Sequence, residues 1–164
     1  MRDSEPVPSG AVVVDSGSGT VRLDVVVAGA ESGRGRRIVL RMQWEQDDPL
    51  TVTLFISASP DHPALPRGRW VVLRDFLRYG IDEATGDGDV RVRPDRRSAC
   101  ADPAGARSSL TWLELARSGR PCRVGVPAEL LASFLDETEL IVPVGEERSE
   151  ALVDEFINRL LNRS

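Results

Sequence analysis

Imidazole and thiol side chains are scarce in this chain of 164 residues. His62 is its one histidine, and Cys100 and Cys122 are its two cysteines. Imidazole is the usual general base and zinc ligand near neutral pH. His62 sits between Asp61 and Pro63 in "ASPDHPALPRG", a loop whose prolines exclude regular structure. A zinc centre would need His62, Cys100 and Cys122 to converge from two loops and a strand, and their spacing follows no ligand pattern. A Ser-His-Asp site has serines to draw on, but the chain lacks the Gly-x-Ser-x-Gly elbow. The cysteines read as two reduced thiols in a reducing compartment.

The stretch "TGDGDVRVRP", Thr85 to Pro94, poses a sharper question, because alternating Gly and Asp could cradle calcium or phosphate. An EF-hand loop needs oxygen ligands at alternate positions, Gly in the middle and Glu at the end. Counted from Asp82, the acids and glycines fall out of that register, and Arg91 and Arg93 stand where a cation would be repelled. A phosphate loop needs Lys-Ser/Thr after its last Gly and a strand before it, and neither is present. Gly86 and Gly88 are therefore read as backbone hinges that supply positive φ where the chain reverses between helix and strand. The Arg-rich "RVRPDRR" is read as a solvated face paired with Asp87, Asp89 and Asp95 rather than as a phosphate site. No catalytic, cofactor-binding or metal-ligating residue is assigned.

The elements that carry these residues follow from period and punctuation. Ala11–Val14 and Thr20–Val27 are β-branched runs joined through "DSGSG", a hairpin signal. Ile38 to Trp44 alternates, with Ile38, Leu40 and Met42 on one face, and Leu50–Ser57 is strongly β-prone. Arg69–Val72 is a further strand that runs into a short helix, Leu73–Tyr79, with no good N-cap. Gly80 fits the left-handed position that ends a helix. Asp89–Arg93 is the next strand, followed by a long loop from Pro94 to Arg107. Leu110–Ala116 and Cys122–Val126 form a hairpin through "RSGRP". Pro127 opens a helix with a Leu130, Leu131, Phe134, Leu135 stripe, after which Asp136–Val144 reads as extended chain. A last amphipathic helix from Ser149 carries Leu152, Val153, Phe156, Ile157, Leu160 and Leu161 on one face. Strands first and helices late argue an α+β class, with mostly antiparallel sheets, a short mid-chain helix and two amphipathic C-terminal helices.

The length fits a single domain able to bury a sizeable core. A net charge of −5 argues against a dedicated nucleic-acid or anionic-membrane binder. All 21 basic residues are Arg, which reads as a GC-rich coding sequence. The N-terminus "MRDSEPVPSG" lacks the pattern of a signal peptide, and no apolar run approaches the ~20 residues that span a bilayer. The expected compartment is the cytoplasm.

Several blocks together resemble a known family. "WVVLRDFLRYGI" (Trp70 to Ile81) followed by "TGDGDVRVRP" is similar to the signature of the SsgA-like proteins. In that family a Trp-containing strand runs into an Arg-Asp/Glu-Leu-Leu helix and then into Gly-x-Gly-Asp-Val-x-Val-x-Pro. Leu110–Ala116, Ser118-Gly119, Pro127, Phe134-Leu135, Thr138 and "VPVGEE" (Val142 to Glu147) continue the likeness, as does "DDPLTVTLFIS" upstream. Ala84 stands where the family often has Pro, and Arg93 where some members have Trp. The resemblance covers about Thr20 to Leu161, which makes residues 20–164 the SsgA-like domain and residues 1–19 an N-terminal extension with room for an extra strand. It implies a Whirly-like fold, a homotrimer and no enzymatic activity or cofactor. It also implies a role in sporulation-specific cell division in actinobacteria, at division septa, with FtsZ or another SsgA-like protein as partner. Partner-binding residues do not carry over by position. A Whirly-like fold brings a second expectation, single-stranded nucleic-acid binding, which wants a basic groove lined with aromatics.

Overall fold

The computed structural model describes residues 10–29, 36–57, 68–95, 109–117 and 120–147. Among these residues, nine strands and two helices follow one another as β1 (Gly10–Asp15), β2 (Thr20–Gly29), β3 (Arg36–Glu45), β4 (Asp48–Ser57), β5 (Gly68–Leu73), α1 (Arg74–Gly80), β6 (Thr85–Asp87), β7 (Val90–Pro94), β8 (Leu110–Arg117), β9 (Arg120–Pro127) and α2 (Ala128–Ile141). Every pairing is antiparallel, in the order β5-β4-β3-β2-β9-β8-β7-β6, with β1 added on β2. Among the described residues, the sheet pairing between the two halves runs through Gly29 at the end of β2 and Val124 of β9.

Period-two alternation sets which side chains enter the core. Val21, Leu23 and Val25 of β2 line up with Trp44, Met42 and Leu40 of β3, and these in turn with Val52, Leu54 and Ile56 of β4. All are buried. In the other half, Val90 and Val92, Leu113 and Leu115, and Val124 and Val126 do the same. Both sets belong to one continuous cluster, completed by Leu77 of α1 and by Leu131, Phe134 and Leu135 of α2. Trp70 of β5 donates its indole N–H to the Ala116 carbonyl of β8 at 3.3 Å, so the halves curl toward each other around that core. α1 packs on β4 to β7, and α2 on β1, β2, β8 and β9.

The β1–β2 hairpin forms as the sequence predicts. Its turn is fixed by Asp15, whose Oδ1 accepts from the Gly17 backbone N–H at 3.0 Å, and by Gly19 at φ 65°. The β8–β9 hairpin and the strands β3, β4 and β5 also match expectation within a residue or two. Three expectations are corrected. Gly80 has no positive φ: it closes α1 and the following Ile81 is right-handed helical. Glycine is needed there because a Cβ would overlap Val92 of β7, against which the helix end lies. Asp136–Val144 is not extended, since α2 continues to Ile141. Asp136 and Glu139, one turn apart, both ion-pair with Arg78 of α1, and that tertiary contact outweighs the β-branched tail of the segment. The reversal at the Gly-Asp stretch runs between two strands, β6 and β7, not between helix and strand. The second C-terminal helix, from Ser149, lies outside the described residues.

Candidate interaction surfaces and an arginine clamp

The Gly-Asp corner is a β-hairpin. Asp87 pairs with Val90, leaving Gly88-Asp89 as a two-residue loop, the length that selects primed turns with positive φ at the first position. Gly88 supplies it at φ 59° and has open space around its Cα. Gly86 does a different job. Its φ is 145°, and a Cβ there would overlap the Val90 carbonyl oxygen and come within 2.7 Å of Arg91 Cα. Close backbone approach, and not ion binding, explains that glycine. Asp82, Asp87 and Asp89 are exposed. Among the described residues, no three His, Cys, Asp or Glu side chains come together as metal ligands. Tyr79, Asp82, Glu83, Ala84 and Thr85 line an open depression of about 270 Å³ beside the corner.

Sequence reasoning missed the one buried charged side chain among the described residues. Arg74, the first residue of α1, is 1% exposed. α2 has no basic residue in its own last turn, where unpaired carbonyls concentrate partial negative charge. Arg74 supplies that charge from another element. Its Nη1 donates to the carbonyls of Thr138 at 3.4 Å and Val142 at 2.8 Å, and its Nη2 bonds Glu147 at 2.5 Å. Its guanidinium lies 5.7 Å from the ring centroid of buried Trp44. Trp44 in turn donates its indole N–H to the Pro49 carbonyl at 3.0 Å. Glu147 is drawn into place by the turn before it, where Gly145 at φ 87° gives its N–H to Glu147 Oε2 at 2.7 Å. Burial pushes the Glu147 carboxyl up. Its own backbone N–H, Arg74 and the Gly145 N–H together outweigh burial and hold it below the ordinary carboxylate range.

One turn along α1, Arg78 pairs with Glu139 at 3.0 Å and Asp136 at 2.7 Å. Burial opposes its charge, but Glu139 and Asp136 more than offset that and raise its pKa. The two signature blocks, "WVVLRDFLRYGI" and "VPVGEE", are therefore one object: a helix and a turn bolted together through Arg74. The only signal in the sequence was the pairing of an isolated Arg with a distant Glu, which no local pattern marks.

Other candidates disperse. Cys122 faces the core from β9 at 2% exposure. His62 and Cys100 lie outside the described residues. Arg93 is salt-paired as expected, but with Glu114 of β8 at 2.7 Å rather than with the neighbouring aspartates. What the surface does offer is apolar side chains in water. Val71 and Leu73 project from the outer face of β5, which stands at one end of the strand order. Tyr79 is 59% exposed on α1, and Leu140 and Val144 are 79% and 55% exposed beside the clamp. No helix among the described residues is long and apolar enough to cross a membrane.

Comparison with known proteins places these features. Residues 38–147 match the family described as Streptomyces sporulation and cell division protein, SsgA. The sporulation-specific cell division protein SsgB of Streptomyces coelicolor is 32% identical over 123 residues, covering 75% of this chain and 81% of that protein. SsgB of Salinispora tropica is 33% identical over 121 residues, covering 73% and 77%. Among solved structures, one reported with mutations in SsgB that correlate to longitudinal cell division during sporulation of Streptomyces coelicolor superposes with a TM-score of 0.63. It is 26% identical and covers 78% of this chain and 92% of its own. An SsgA-like sporulation-specific cell division protein from Thermobifida fusca shares the fold at a TM-score of 0.67, with 23% identity and coverage of 88% and 98%. The corner, the clamp and the strands between them all fall within the matched span or its immediate flanks, and the chain belongs to the SsgA family of sporulation and cell-division proteins.

Proposed function

We propose that the chain is a non-catalytic organiser of the division septum, which recruits or positions FtsZ or a second SsgA-like protein during sporulation. The family match over residues 38–147 carries this reading. The charged residues between the elements support it too. Arg74, Glu147 and Arg78 direct their hydrogen bonds to other parts of the fold. A scaffold acts through shape and exposed contact area, and Val71, Leu73, Tyr79 and Leu140 supply apolar area on the surface. The reading takes the fold as Whirly-like and the working protein as a cytoplasmic homotrimer, assembled through the β5 edge or the C-terminal stripe around Phe156. It requires no cofactor.

Affinity purification of the tagged protein from sporulating cells tests it. FtsZ or another SsgA-like protein should co-purify, and do so less well when Val71 and Leu73 are both changed to Ser. Recovery of neither partner under mild cross-linking would sink the scaffold reading.

A further inference from the structure

The β7–β8–β9 half of the sheet has an outer face opposite the buried Val92, Leu113 and Val124. Register assigns its members: Arg91, Glu114 and Arg123 form one cross-strand row, and Arg93, Trp112 and Gly125 the next. The two rows hold three arginines, Arg91, Arg93 and Arg123, in a chain whose net charge is −5. Glu114 is the one carboxylate in the two rows, and Asp89 and Asp95 flank them at the ends of β7.

Glu114 Oε1 meets Arg93 at Nε, 2.7 Å away, and Arg123 at Nε, 3.5 Å away. The Nη groups of both side chains, which are 34% and 41% exposed, have no partner among the described residues. Arg91 is exposed and has no ion-pair partner among them either. An Arg fork matches a carboxylate in two parallel hydrogen bonds, and Lys could not reproduce that geometry.

We propose that this face docks an extended, acidic segment of a protein partner, with carboxylates on alternate residues reaching Arg91, Arg93 and Arg123. Arg91 and Arg93 are two residues apart on a strand, a spacing of about 6.8 Å, which is also the repeat of same-side residues in an extended peptide. The single aromatic on the face decides against nucleic acid. Trp112 packs on Gly125, where a Cβ would come within 3.1 Å of its ring, and the Arg123 guanidinium lies 5.2 Å from its centroid. A base could stack on that ring only by displacing Arg123, whereas single-strand binders present open aromatic platforms. The inference rests on the scaffold reading and names the chemistry that one of its partners would bring.

Fluorescence anisotropy on the full chain tests it, with a dye-labelled peptide of alternating Glu and Ser, its Gln-for-Glu counterpart and a labelled oligothymidine. The Glu peptide should bind, weakening as salt rises, and the Gln peptide should bind at least about tenfold more weakly. Arg91→Glu, at a side chain with no ion-pair partner among the described residues, should weaken binding about tenfold. Glu114→Gln removes the competing carboxylate and should tighten binding severalfold, a gain that a merely structural Glu114 would not give. Equal binding of the two peptides, a Glu114→Gln variant no tighter than the parent, or oligothymidine binding tighter than the Glu peptide would each overturn the proposal. Loss of peptide binding with partner co-purification intact would remove this face while leaving the scaffold reading standing.

Discussion

Arg74 shows how much one side chain can hold together. It neutralises the carbonyl end of α2, pairs with Glu147 and covers Trp44, all from a position that reads in sequence as the solvated start of a helix. Removing one partner of a buried pair leaves an uncompensated charge. Arg74→Ala is therefore expected to lower unfolding free energy by about 3–5 kcal/mol. Arg74→Lys should recover little, because an ammonium cannot serve Val142 and Glu147 with a planar fork. Urea denaturation of the two variants checks both statements. The pH response follows from Glu147. Its folded pKa is depressed, so the stabilisation is complete above the unfolded carboxylate pKa of about 4.3 and is lost as pH falls through the lower folded value. Glu147→Gln should be less stable than the parent at neutral pH, and the gap should narrow on acidification through that window. The glycines of the corner separate by cause. Gly88→Ala meets only an unfavourable φ and should cost roughly 1–2 kcal/mol, whereas Gly86→Ala also overlaps the facing strand and should cost more.

Elements differ in how far their causes are local, and legibility follows that difference. The strands were readable because alternation is a property of neighbouring residues: Ile38, Leu40 and Met42 are buried as the pattern requires. The β1–β2 hairpin was readable because Asp15 and Gly19 write their own turn. α2 was read too short because its last turns depend on Arg78 and Arg74, dozens of residues upstream, and on Thr138, whose buried hydroxyl donates to the Leu135 carbonyl at 2.7 Å. Gly80 marks the end of α1 in sequence, but its cause is not local, since Val92 arrives from another strand. Gly to Ala inside a helix ordinarily stabilises by roughly 0.5–1 kcal/mol, yet Gly80→Ala should destabilise here. Combining it with Val92→Ala should recover part of the loss, and thermal unfolding of the single and double variants would show whether the two sites couple.

At the scale of the whole molecule, the charge is divided: an Arg-rich face on β7–β8–β9 and an excess of acid elsewhere in a chain of net −5. With that go exposed apolar side chains on β5, α1 and the turn after α2. Such a surface suits assembly with itself and with others. Light scattering should give a mass three times the 17.9 kDa of one chain, and a single-chain mass at every practical concentration would contradict the trimer. The central claim, that this member of the SsgA family works by organising septa through its surfaces, is tested most directly in the living cell. With the native copy replaced by a fluorescent fusion, the account predicts foci at sporulation septa, and misplaced or missing septa when the protein is deleted. Diffuse fluorescence together with unchanged septation in the deletion strain would contradict it.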